Sequence, residues 1–219
     1  MTRIAVIGAH GQVGQHLLNQ IHARGDEGLG IIRNADHGED LTRLGAETAL
    51  VDIESASAEE LADAIRGSDA VVFSAGAGGG SSAERKRTVD FGGSVLLAEA
   101  AALAGVRRFV QVSAIGVDEP LDDDTEEVWA AYVEAKRDAD ASLRATDLDW
   151  TIIRPGGLTS DEGTGRIQLG EKVERGSIPR EDVAAVVLAA IDDERSIGRT
   201  WEVVQGSEPI AAAIASAVR

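Results

Sequence analysis

The chain has 219 residues, 43% hydrophobic but only 3% aromatic, no cysteine, and a formal net charge of −17. This length suits one domain, residues 1–219, around an aliphatic core; the missing cysteine excludes disulfides, thiolate metal sites and a cysteine nucleophile. The negative charge argues against general binding to nucleic-acid phosphates and against anionic membrane surfaces. The N-terminus enters a strand-like run instead of a signal sequence, and no apolar stretch is long enough to span a bilayer, so a cytoplasmic protein is expected.

Ile4 to Ile7 reads as the first strand. Gly8-Ala9-His10-Gly11-Gln12-Val13-Gly14 follows, with the form G-x-x-G-x-x-G, and then a helix with Val13, Leu17, Leu18 and Ile21 on one face. In this context Gly8 permits a tight turn, Gly11 lets the backbone approach a pyrophosphate, and Gly14 allows helix to pack on strand. The helix N-terminus offers free N–H groups to an anion. His10 reads equally as a phosphate contact or a solvent-facing loop residue.

The second strand, about Leu29 to Arg33, ends in Arg33-Asn34. An acidic residue there would bond a ribose 2′-OH, whereas an arginine pairs with a 2′-phosphate, so Arg33 favours NADP while Asp36 keeps NAD open. A third strand lies near Ala49 to Val51, and Asp52-Ile53 after it is placed to flank an adenine, or simply to form a turn. Ser57 to Glu60 forms a capping box that opens a helix through Ile65. Asp69 to Ala75 is a central, parallel strand. After the glycine-rich Gly76 to Ser82, a long Ala-rich helix should run through Ala104 and stop at Gly105.

Phe109 to Ser113 is the fifth strand. The acidic loop Asp118 to Asp124 leads into a helix with Tyr132, the sole tyrosine, and Lys136 four residues on, hence on the same face. This spacing suits a proton-donating phenol whose pKa a nearby ammonium brings toward working pH, the same ammonium bonding the nicotinamide ribose. Ser113, at a strand end, is the third candidate, positioned to hold a substrate oxygen. Trp150 to Ile153 is the sixth strand, stopped by Pro155-Gly156-Gly157. A polar stretch, a helix from Pro179 to Ile191, a strand Trp201 to Val204 and a short helix complete the chain. Such alternation gives an α/β doubly wound parallel sheet, with residues 155–180 as a small C-terminal substrate lobe.

Taken together, the glycine loop, Asp52-Ile53, Gly76 to Gly80, Val89-Asp90, Ala104 to Ser113, Tyr132 with Lys136, and Leu148 to Gly156 resemble the short-chain dehydrogenase/reductase superfamily. The match is to its atypical, single-domain branch related to NAD-dependent epimerase/dehydratases. The resemblance implies a Rossmann-type sheet of about seven strands. It implies Ser74-Ala75-Gly76 beside the adenosine and phosphates, and Pro155 and Gly156 on the nicotinamide side. In many relatives a threonine or serine stands where this chain has His10. Three functions follow: an NADP(H)-dependent oxidoreductase reducing a small carbonyl or quinone-like acceptor, a non-catalytic NAD(P)H-sensing protein, or an NAD-dependent epimerase/dehydratase. The expected partners are a small-molecule substrate and, at most, a second copy in a homodimer, with neither nucleic acid nor membrane.

Overall fold

The central strands form where short aliphatic runs are buried on both faces, which is why they lack polar alternation. In a computed structural model describing residues 1–218, the first half runs β1 (Arg3–Ile7), α1 (Gln12–Ala23), β2 (Glu27–Ile32), α2 (Gly38–Arg43), β3 (Glu47–Leu50), α3 (Ala58–Ile65), β4 (Ala70–Phe73) and α4 (Ala83–Arg85). A π-helical turn (Lys86–Gly92) joins α4 to α5 (Gly93–Ala104). Then come β5 (Arg108–Val112), α6 (Glu127–Arg144), β6 (Asp149–Pro155), β7 (Gly157–Thr159), β8 (Arg166–Gly170), β9 (Ser177–Pro179), α7 (Arg180–Asp192), β10 (Arg199–Gln205), β11 (Glu208–Pro209) and α8 (Ile210–Ala217). No helix among the described residues is long and apolar enough to cross a membrane.

The main sheet has nine strands in the order β11-β8-β10-β6-β5-β4-β1-β2-β3. The seven from β10 to β3 are parallel, matching the expected Rossmann-type sheet. β8 and β11 extend it antiparallel. Strand order reverses between β1 and β4, and the crevice at the carboxyl ends of strands at such a reversal is where open α/β sheets bind ligands. Alternate residues of β1 serve two cores. Ile4 and Val6 pack with Leu17 and Leu18 of α1 and with Val186 and Val187 of α7. Ala5 and Ile7 pack with Leu61 of α3, Phe73 and Leu97 of α5. A fully buried side chain of this size contributes about 1.5–3 kcal/mol, so the two-sided core pins the sheet edge that carries the site.

Within residues 155–180, β8 joins the main sheet beside β10, while β7 and β9 pair separately. Strand β8 was hidden because a single side chain of its first three, Ile167, is buried, too weak a signal in a polar, glycine-rich stretch. The Ala-rich helix is also interrupted, by the π-turn that widens the backbone between α4 and α5.

Candidate functional site

A cavity of about 370 Å³ opens at the β1/β4 reversal, lined by the β1–α1 loop, the ends of β2 and β3, and Ser74 to Ala77 after β4. The loop has the shape it has because three glycines leave no alternative. Gly8 adopts φ +83°, and a Cβ there would stand 2.6 Å from the Ala75 nitrogen. A Cβ on Gly14 would strike the carbonyl oxygens of Gly8 and Ala9. Gly11 donates its N–H to the Gly8 carbonyl at 2.9 Å and caps α1 with no side-chain acceptor and no acid in the first turn. The positive helix end and its unpaired N–H groups therefore face the cavity, as a diphosphate requires. Gly8, His10 and Gly11 line the cavity; Val13 and Gly14 are buried behind it and Gln12 is exposed.

The adenosine side is a cluster of opposed charges. Arg33 places Nη1 3.2 Å from Glu54, and Arg85, from α4, places Nη2 2.8 Å from the same carboxylate. The Arg85 hydrogen bond, helped by one from the Thr88 hydroxyl, holds the Glu54 carboxyl below its usual range. His10 stacks on His37 with ring centroids 3.6 Å apart and turns Nε2 toward Asp40 at 3.0 Å. Asp52 and Ile53 both line the cavity, and Asp52 also makes the turn anticipated for it by accepting from the Glu54 amide at 3.1 Å. Ser74 lines the cavity, and its hydroxyl donates to the Ile7 carbonyl. Pro155 and Gly156 lie outside this cavity, where a Gly156 Cβ would collide with the Gly176 carbonyl.

Tyr132 and Lys136 are brought to one face of α6, and Lys136 is almost fully buried. Its ammonium donates to the Ala75 and Val112 carbonyls, each at 3.3 Å, and pairs with the buried Asp90 at 3.2 Å. Asp90 in turn accepts from the Ala77 amide at 2.9 Å. The cavity rim and the Tyr-Lys pair therefore share the Ala75–Ala77 backbone. The expected lowering of the tyrosine pKa is overturned. Burial pushes the Tyr132 phenol above its ordinary value; Lys136 opposes this, while Asp90 and Asp140 add to it. Lys86 lies over the Tyr132 ring at 5.3 Å and donates to the Gly78 carbonyl.

Ser113 also differs from expectation. Its hydroxyl donates to Asp140 Oδ2 at 3.0 Å, so its one proton is committed and the oxygen is left as an acceptor. Asp140 is fully buried and further accepts from Gln111 at 2.7 Å and from Arg154 Nε at 2.8 Å. Burial raises the Asp140 carboxyl, against the pull of Arg154. Sequence reasoning missed Glu54, Arg85, Asp90, Asp140 and Arg154 as site residues. For Asp140 a signal existed, because it continues the Tyr132–Lys136 spacing by another four residues. For Arg85 none did, because its partner lies 31 residues away.

Comparison with known proteins gives a consistent result. The model of the NAD(P)H-binding family matches residues 8–194. An uncharacterised sugar epimerase of Bacillus subtilis is 38% identical over 213 residues, covering 97% of this chain and 98% of its own. A solved structure described as a candidate NAD-dependent epimerase/dehydratase from Bacillus halodurans is 33% identical, with a TM-score of 0.91 over 99% of this chain and 100% of that one. An oxidoreductase from Lactococcus lactis is 30% identical, with a TM-score of 0.85 over 98% and 96%.

Proposed function

This chain belongs to the NAD(P)H-binding family, and we propose that it is an NADP(H)-dependent reductase of a small carbonyl or quinone-like acceptor. The observation that carries the reading is Tyr132 on one face of α6 with Lys136, one helical turn on, whose ammonium bonds the cavity rim at Ala75. A nicotinamide dinucleotide held in the cavity supplies hydride. Reducing a C=O group also needs one proton on oxygen. The Tyr132 hydroxyl donates it, Lys136 offsets the phenolate charge left behind, and solvent restores the proton. Ser113 donates its proton to Asp140, so the proton on the acceptor oxygen comes from Tyr132 alone.

The glycine loop and the α1 N-terminus hold the diphosphate. Arg33 and Arg85 converge on Glu54 from separate elements, offering two planar forks to a 2′-phosphate, which favours NADP(H) over NAD. The names of the Bacillus relatives point instead to epimerase or dehydratase chemistry. A tyrosine acting as base there would have to ionise, which the burial of Tyr132 opposes.

The test is turnover of a carbonyl and quinone panel with NADPH by the wild type and by Tyr132→Phe. The expected outcome is a loss of about 10²- to 10⁴-fold in turnover with NADPH affinity retained. Full activity of the variant would end the reading.

A further inference from the structure

Along α6, Trp129, Tyr132, Lys136 and Asp140 follow one another at helical spacing and form a single stripe. Exposure falls steadily along it: Trp129 is 54% exposed, Tyr132 is half-buried, Lys136 is 5% exposed and Asp140 is fully buried. The stripe thus runs from open solvent into the core, and Trp129 stands at its mouth. Its ring touches the tyrosine, with centroids 5.2 Å apart and planes tilted by 34°. Lys86, over the same tyrosine ring at 5.3 Å, donates to the Gly78 carbonyl and keeps its positive charge.

Trp129 is an unusual exposure for this chain. There are seven aromatic residues of the Phe, Trp and Tyr types among 219, and the other two tryptophans are covered: Trp201 is 1% exposed and Trp150 half-buried. An indole left in water gives up the large burial it would gain in a core. The segment that leads into the helix is acidic. Asp122, Asp123, Asp124 and Glu127 are exposed, and none makes an ion pair among the described residues. Glu126 is exposed as well and caps the helix through the Val128 amide.

We propose that Trp129 is the aromatic wall of an acceptor subsite beside Tyr132, and that this subsite takes flat, conjugated acceptors without negative charge. The proposal rests on the reductase reading for the identity of Tyr132 as proton donor, but its binding content stands independently. A flat π-system stacks on the exposed indole face with its oxygen toward the phenol. A sulfonate or carboxylate on the acceptor meets the field of the Asp122–Glu127 run and is disfavoured.

The experiment measures equilibrium dialysis of three probes against the protein loaded with NADP⁺, so that no turnover intervenes. The probes are 2-methyl-1,4-naphthoquinone, its 3-sulfonate, and cyclohexanone. Trp129→Leu is expected to weaken the neutral quinone about tenfold, leave cyclohexanone and NADP⁺ unchanged, and be largely rescued by Trp129→Phe. The sulfonate is expected to bind several-fold more weakly than the neutral quinone, the gap closing at high salt. Quinone affinity within twofold of wild type in Trp129→Leu, or a loss shared with NADP⁺, overturns the proposal, as does a wild type that binds no quinone. If Trp129-dependent binding is found without turnover of any acceptor, the subsite stands and the reductase reading falls; turnover indifferent to Trp129 gives the reverse.

Discussion

Tyr132 and Lys136 were placed on one helix face by spacing alone, but their chemistry depends on what surrounds them. A phenol donates only while protonated, so a raised pKa extends its working range upward. Reductive turnover limited by proton donation should therefore be flat through neutrality and fall only as pH rises through a value above the ordinary phenol figure of about 10. A pH–rate profile with an alkaline limb near neutrality would contradict this assignment. Lys136→Met should push the Tyr132 pKa higher still, by removing the group that lowers it. It also leaves Asp90 buried without its cation, which costs about 3–5 kcal/mol; urea denaturation checks the stability loss. Ser113 shows why a residue type at a strand end does not settle a role. Its hydroxyl has one proton, and the partner that takes it, Asp140, is 27 residues away.

Among elements, the seven parallel strands and most helices were legible because most of those strands are aliphatic runs buried on both faces, and caps such as the Ser57 box write their own signature. The π-turn at Lys86–Gly92 was not, since hydrophobic periodicity assumes 3.6 residues per turn and one wide turn leaves no mark in composition. That turn buries both Lys86 and Asp90 and so brings them to Tyr132 and Lys136. Elements are also tied by single long side chains. Arg108 on β5 donates to the Asp149 carbonyl of β6, to Thr151 and Ser196, and to the Ala190 carbonyl near the end of α7. Burial pushes this guanidinium down to about 10, still charged at neutral pH. Arg108→Met should cost about 2–4 kcal/mol, from several unsatisfied buried acceptors at once, read as a lower urea midpoint, with NADPH affinity of the folded protein unchanged.

At the scale of the molecule, a protein of net charge −17 binding an anionic dinucleotide depends on local donors against an unfavourable overall field. The cofactor should stabilise the fold by mass action. At a hundred times its dissociation constant the gain is about 2.7 kcal/mol, or roughly 5–10 °C in Tm for a chain of this size. NADPH should give a larger shift than NADH at equal concentration, and Arg33→Ala should narrow the difference. An equal shift from both cofactors in the wild type would remove the 2′-phosphate from the reading. By itself the sequence determined the Rossmann-type sheet and the phosphate loop, because strand burial, glycine geometry and helix periodicity are local and leave their pattern in adjacent residues. Only the tertiary structure decided that Lys136 is tied to Asp90, that Ser113 is spent on Asp140, that Glu54 gathers two arginines, and that β8 widens the sheet. Each of these is a pairing between residues distant in the chain, selected by the cost of leaving a buried charge or polar group unmatched, and no spacing records it.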